Sequence, residues 1–215
     1  MGRMTQAINF DAIEAASIER EPFDFMAIPN ILNPSHLAAI RADFPVIDKP
    51  GLYPLAGLDY GPAFGTLLDD VQSDQFRTVI AQKFGIDLEG LPLMVTVRGM
   101  AQRKDGRIHA DSKHKVITCL LYLNERWDED GGRLRMLRSA HDLEDYAAEI
   151  PANGGSFAAF RGTPHAWHGH HPYVGERRYI MFNWIRSDAA LKHHQWRHSL
   201  SARAKALLPF FYKGH

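Results

Sequence analysis

The chain has 215 residues, of which 45% are hydrophobic and 23% charged, and its 25 basic side chains balance 25 acidic ones for a formal net charge of +0. Such values belong to an ordinary globular domain, and the balance gives no overall attraction to nucleic acid or an anionic membrane. A single cysteine, Cys119, excludes an intrachain disulfide, and no apolar run approaches the roughly 20 residues that span a bilayer.

The opening stretch MGRMTQAINFDAIEAASIER carries acidic residues and no apolar core. No secretory signal is therefore expected, and the cytoplasm is the expected compartment. Residues 1–90 look mainly helical. Phe10 to Ile18 has apolar residues at helical spacing. Asn33-Pro34 is a helix-start pair ahead of SHLAAIRADF, and Ser73-Asp74 opens SDQFRTVIAQKFG, which Gly85 closes.

From Leu91 the texture changes. LPLMVTVRG, KVITCLLYLN, GRLRML, GSFAAFRG and ERRYIMFNWI are short runs enriched in β-branched and aromatic residues, separated by RKDGR, DEDGG, ANGG, GTP and YVGE. Strands at this rhythm predict an antiparallel sandwich, barrel or jelly roll. The tail, SDAALKHHQWRHSLSARAKALLPF, reads as a helix capped by Ser187 and ended before Pro209. With no repeat or linker, one α+β domain over 1–215 is expected: a helical part (1–90), a β core (91–186) and a C-terminal helix (187–215).

Histidine is over-used: there are twelve, and seven lie between His165 and His198. His109 and Asp111 stand just ahead of the apolar run VITCLLYL. In an extended segment such an i, i+2 pair aims an imidazole and a carboxylate at one point. Non-haem iron(II) sites combine two histidines with one carboxylate and keep the remaining positions open. The missing ligand has four candidates in HAWHGHHPYVGERRYIMFNWI, namely His165, His168, His170 and His171. The same stretch holds Arg177 and Arg178 at the start of a strand, where a buried guanidinium fork suits a carboxylate. Together these parts suggest 2-oxoglutarate chemistry.

The segment VITCLLYLNERWDEDGGRLRML resembles the catalytic core of the hypoxia-inducible-factor prolyl hydroxylases. More broadly, it is similar to the prolyl-4-hydroxylase-like group of 2-oxoglutarate and Fe(II)-dependent dioxygenases. The shared order is H-x-D, a Tyr-Leu-Asn strand, a Gly-Gly strand, a distal histidine and a basic residue on the last core strand. All five occur between His109 and Trp184, and MVTVRGMAQRKDGRIHAD before them also fits. The resemblance covers somewhat over a third of the chain. It implies a double-stranded β-helix (jelly-roll) core that uses Fe(II), 2-oxoglutarate and O2, with ascorbate a candidate reductant. It implies His109, Asp111 and His168 as metal ligands, His168 because Pro172 stands four residues beyond it.

For the cosubstrate the resemblance implies Arg178, Tyr122, Trp184 and Thr118. Arg178 stands six residues before Trp184 and shares a strand face with Ile180, Phe182 and Trp184, whereas the Gly-Glu-Arg wording of the turn would select Arg177. Tyr122 is expected to assist the arginine, and Thr118 and Leu120 to wall the pocket. The expected reaction is hydroxylation of a small molecule or side chain with release of succinate and CO2, with no nucleic acid or membrane partner. The carboxylate at Asp111 speaks against a halogenase. Two departures bear on substrate. Arg98 stands where the prolyl hydroxylases have an aromatic residue, as an anion binder or as a solvated strand-end charge. The loop DSKHKV is shorter than theirs, which puts a protein-proline substrate in doubt. A cupin-like oxygenase independent of 2-oxoglutarate and a non-catalytic sensing module are the competing readings.

Overall fold

The structure, a computed structural model, describes residues 6–187, so the helix expected for the C-terminal tail lies outside the described residues. In chain order the elements are α1 (Phe10–Ala15), β1 (Phe25–Ile28), α2 (Leu37–Ala42), β2 (Tyr53–Pro54), α3 (Pro62–Val71) and α4 (Asp74–Phe84). They continue with β3 (Leu93–Ala101), β4 (Lys115–Tyr122), β5 (Leu134–Leu137), β6 (Tyr146–Ile150), β7 (Phe157–Arg161), β8 (His168–Gly169) and β9 (Gly175–Ile185). Two antiparallel sheets result, one of six strands ordered β1-β7-β4-β9-β3-β2 and one of three ordered β6-β5-β8. This is a jelly-roll core carrying helices on one side.

The large sheet is covered on both faces, which is why β4 reads as an unbroken apolar run and is buried along its whole length. Ile117, Cys119 and Leu121 of β4 and Ile180, Phe182 and Trp184 of β9 pack with Phe64 and Leu67 of α3 and Phe76 and Ile80 of α4. The opposite face, with Leu120, Tyr122, Ala158, Phe160 and Tyr179, packs against Leu134 and Met136 of the small sheet. Burying each such aliphatic or aromatic side chain contributes about 1.5–3 kcal/mol, so both layers hold the central strands rigidly.

The helix over SDQFRTVIAQKFG forms as its caps predict. The Ser73 side chain accepts from the Phe76 backbone N–H, and Gly85 closes the helix with φ of 60° in the left-handed region. Elsewhere the N-terminal part departs from its helical expectation. It supplies β1 and β2, the two edges of the large sheet. Helix α2 begins only after His36, because Asn33 is engaged elsewhere: its backbone N–H donates to Ala7 O and its side chain to Gln6 O. Helix α3 was not anticipated, although Pro62 at its first turn and buried Phe64, Leu67, Leu68 and Val71 give it a recognisable pattern.

Candidate active site

His109 and His168 are brought together by the backbone. They form an isolated antiparallel bridge in which His109 N–H donates to His168 O and His168 N–H to His109 O, each at 3.0 Å. Residues paired in this way project their side chains to the same side, and the two imidazole centroids lie 4.2 Å apart. Asp111, two residues on, joins them, and one ligand atom from each of the three lies within 4.8 Å of the others. The remaining candidates stand apart from this cluster. His165 is exposed, and His171 pairs with Glu144 at 2.6 Å. His170 is buried, with its Nδ1 donating to His171 O at 2.7 Å.

Protonation suits a cation. Each cluster histidine directs Nδ1 at a carbonyl, His109 at Arg107 O and His168 at Ala166 O, both at 2.9 Å. A carbonyl only accepts, so Nδ1 carries the proton and Nε2 keeps its lone pair. Burial is the main cause that lowers the His168 imidazole, to about 4, with the charge of Asp111 opposing it. Burial would raise the Asp111 carboxyl. The Lys115 cation, His168 and the hydrogen bonds from Lys115 and Thr118 overcome it and hold the group at about 2. With Nδ1 of each ring turned to a carbonyl and Asp111 ionised near neutral pH, the cluster presents two histidine Nε2 atoms and one carboxylate, the donor set of a non-haem iron site.

Asp111 is held from β4 by two residues that a regular strand would point apart. Lys115 Nζ donates to Oδ1 at 2.7 Å, and the Thr118 hydroxyl donates to Oδ2. Their spacing of three puts them on opposite faces of an ideal strand. A register shift between Lys115 and Ile117 against β9 inserts one extra residue and turns Lys115 to Thr118's side. The side-chain amide of Asn183 lies 2.8 Å from Thr118 Oγ1. The hydroxyl has one proton, which the carboxylate takes, so both contacts are satisfied when the amide offers its NH2 group to Thr118.

The cluster opens into a cavity of about 190 Å³, lined further by Arg98, Lys115, Leu120, Arg177, Tyr179 and Met181. Arg177 is 3% exposed. Its Nε donates to Gly132 O at 2.8 Å and its Nη2 to the Tyr122 hydroxyl at 3.0 Å, and its guanidinium lies 5.1 and 5.0 Å from the Tyr122 and Tyr179 ring centroids. Among the described residues no carboxylate pairs with it. The Gly-Gly turn is shaped around this arginine. A Cβ at Gly132, whose φ is 76°, would stand 2.7 Å from the Trp127 ring and 3.3 Å from Arg177 Nε, and one at Gly131 would meet Pro172 O at 2.4 Å.

The structure corrects the sequence expectation for the arginine. Arg178 does not line the cavity; its side chain pairs with Glu176 at 2.9 Å and lies 5.2 Å from the Phe44 ring centroid. Register decides this. Tyr122 stands opposite Tyr179, Leu120 opposite Met181 and Thr118 opposite Asn183, so the odd-numbered residues of β9 face the cavity. Trp184 is corrected for the same reason: it points into the helix-side core and stacks on Phe76 at 6.1 Å. Tyr122 and Thr118 are on the cavity side, Tyr122 behind Arg177 and Thr118 as the support of Asp111. Arg98 is no solvated strand end; it lines the cavity and pairs with Asp105. A larger hollow of about 630 Å³ beside α1 and β1 is lined mostly by small side chains and holds none of the cluster residues.

A jelly roll that presents two histidines and a carboxylate beside a buried, anion-deficient arginine defines a class, the mononuclear non-haem metal oxygenases. Residues 96–186 match the family model described as the 2OG-Fe(II) oxygenase superfamily, so the chain carries a 2OG-Fe(II) oxygenase domain there. It is a 2-oxoglutarate- and Fe(II)-dependent oxygenase, an oxidoreductase. A comparison with curated proteins by sequence returned no match. Among solved structures, a prolyl-4-hydroxylase from Pseudomonas putida is similar over 86% of this chain and 97% of its own, with 19% identity and a TM-score of 0.52. A 2OG-Fe(II) oxygenase family oxidoreductase from Burkholderia pseudomallei is similar over 76% of this chain and 85% of its own (14% identity, TM-score 0.52). HygX from Streptomyces hygroscopicus, solved with nickel and 2-oxoglutarate, is similar over 76% and 82% (14% identity, TM-score 0.51). At these identities the likeness is one of fold.

Proposed function

We propose that His109, Asp111 and His168 hold the Fe(II), and that Arg177, backed by Tyr122, takes the far carboxylate of 2-oxoglutarate. The enzyme then hydroxylates a small molecule or a side chain. The observation that carries this reading is Arg177 itself. A guanidinium 3% exposed with no carboxylate partner among the described residues is a costly arrangement unless an anion completes it. Bound together, Fe(II) and 2-oxoglutarate supply oxidation of a C–H bond by O2 with release of succinate and CO2.

The chain's own residues position the reactants. Arg107 O and Ala166 O fix the ring orientations of His109 and His168 through their Nδ1–H groups. Lys115 and Thr118 keep Asp111 ionised and aimed. Arg177 presents a planar fork that binds a carboxylate in one orientation, with its own tilt set by Gly132 O and Tyr122. Leu120, Leu134 and Met181 keep the inner wall apolar, which strengthens each of these polar contacts.

The cytoplasm is the proposed compartment, supported by the lone buried thiol of Cys119. Among the described residues no helix is long and apolar enough to cross a membrane. The test of the function is succinate formation from 2-oxoglutarate by the Fe(II)-loaded chain under O2. It is expected for the wild type and lost in Asp111→Ala and His168→Ala. Undiminished turnover in either variant would overturn the assignment of the metal ligands.

A further inference from the structure

Beside the metal cavity lies a second hollow of about 390 Å³, lined by Arg103, Lys104, Asp105, Gly106, Arg107 and Leu143 with His170 and Pro172. It shares Asp105, Gly106 and His170 with the metal cavity, so the two adjoin. Arg103, Lys104 and Arg107 are exposed, and none has an acidic partner among the described residues. The one carboxylate in the hollow, Asp105, is already taken. It pairs with Arg98 from the floor of the metal cavity and accepts from the Gln102 backbone N–H at 3.0 Å. Three cations thus stand around a space in which, among the described residues, the one carboxylate is already paired with Arg98.

This turn is seated firmly against the metal cluster. His170 N–H donates to Gly106 O at 2.8 Å, and a Cβ at Gly106, whose φ is 84°, would stand 2.3 Å from the His170 ring. Arg107 O holds the Nδ1 proton of His109 two residues away. Arg98, on the wall of the metal cavity, also keeps a buried Nε without a hydrogen-bond partner among the described residues. Such a placement concentrates anions next to the reacting centre.

We propose that this hollow is the substrate's anion subsite. The enzyme oxidises a small molecule carrying a phosphate or carboxylate. That group sits on Arg103, Lys104 and Arg107, and the reacting carbon reaches across Gly106 into the metal cavity. The proposal rests on the reading of His109, Asp111 and His168 as the reacting centre. A small molecule fits because the inner cavity of about 190 Å³ must also admit 2-oxoglutarate, which leaves the outer hollow to hold most of the substrate.

The test is calorimetric titration of the full chain with inorganic phosphate, acetate and ethanol, both metal-free and loaded with Mn(II) and 2-oxoglutarate. Phosphate is expected to bind both forms and to weaken at least tenfold in Arg103→Gln/Lys104→Gln/Arg107→Gln. Its affinity should fall with added salt, and ethanol should not bind. In the loaded form, bound phosphate should show 31P relaxation enhanced by Mn(II). Phosphate binding more tightly than acetate assigns a phosphorylated substrate, and the reverse order a carboxylated one. Equal phosphate affinity in wild type and triple variant, an absence of binding, or binding without relaxation enhancement would overturn the proposal. A chain that binds phosphate through this turn yet never takes Mn(II) and 2-oxoglutarate would keep the subsite and sink the oxygenase reading instead.

Discussion

Replacing Arg177 with alanine is expected to remove the anchor of 2-oxoglutarate while leaving the metal cluster in place. Arg177 commits Nε to Gly132 O and one terminal N–H to Tyr122, so its remaining terminal N–H groups are available to a carboxylate. Truncating one partner of a buried, hydrogen-bonded charge pair costs about 2–5 kcal/mol, equivalent to a rise in Kd of roughly 30-fold to several thousand-fold. Arg177→Lys keeps the charge and loses the planar fork, so it should fall between wild type and alanine. Arg178→Ala is the matched control. Its partner Glu176 is 54% exposed on its side chain, a pair of the kind worth under about 1 kcal/mol. It should leave the Kd for 2-oxoglutarate within about twofold. The assay is anaerobic calorimetric titration of each Mn(II)-loaded variant with 2-oxoglutarate, with thermal melting as the check on folding. A larger loss in Arg178→Ala than in Arg177→Ala would refute the register argument and return the role to Arg178.

Thr118→Val keeps the side-chain shape and deletes the donor to Asp111 Oδ2, so metal affinity, read by competition with a chelator, should fall about 10- to 100-fold. In the metal-free protein, stability should decline as pH falls. The His168 imidazole sits at about 4 when folded against 6.5 for a free group, so between those values the unfolded chain binds the extra proton. At pH 4 this amounts to about 3 kcal/mol, measurable by urea unfolding and flattened in His168→Gln. Asp111, at about 2 against 3.8, adds a loss confined to lower pH, as its stabilisation disappears on protonation through the folded value. Trp184→Ala should cost about 3–5 kcal/mol in unfolding free energy, because a fully buried ring stacked on Phe76 leaves a cavity. It should leave 2-oxoglutarate affinity in the refolded protein close to wild type. A large affinity loss there, without a stability loss, would contradict its place in the helix-side core.

The strands from Leu91 onward could be read because their apolar runs and turns are local signals. The H-x-D pair could be read because an extended segment fixes where its side chains point. What escaped depends on partners distant in sequence. Strands β6 and β8 are short, and β8 exists only because His168 and Gly169 pair with β5, so YAAEI and HG carry little periodicity of their own. The edge strands β1 and β2 were likewise missed, since a four-residue and a two-residue run owe their extended form to β7 and β3. The arginine choice failed for a related reason. Alternation correctly separated Arg177, Tyr179 and Met181 from Arg178, Ile180 and Phe182. The apolar set was then given to the pocket, whereas it belongs to the layer beneath the helices. In a sheet buried on both faces, the more apolar side is the one that packs on helices, and the side facing the site carries the polar groups.

That two-sided burial also explains how so small a cavity holds so many charges. Arg98, Lys115 and Arg177 all reach it from strands of the large sheet, each at a place where the backbone is specially arranged. Lys115 is turned inward by the extra residue in β4, and Arg98 lies at a second register shift, where β3 slips by one residue against β9 between Arg98 and Met100. Arg177 enters beside a glycine turn that leaves room for its fork. Regular alternation would leave Lys115 on the helix side, where an unpaired ammonium would be expensive to bury. The extra residue at Lys115, together with the regular register of Arg98 and Arg177, therefore delivers cations to one side of a sheet whose other side must stay apolar. Two of the three cations meet protein carboxylates, Asp111 and Asp105, and among the described residues the third meets none. That imbalance, set by strand register, leaves a buried guanidinium at the cavity wall, which is the feature the proposed anionic cosubstrate would complete.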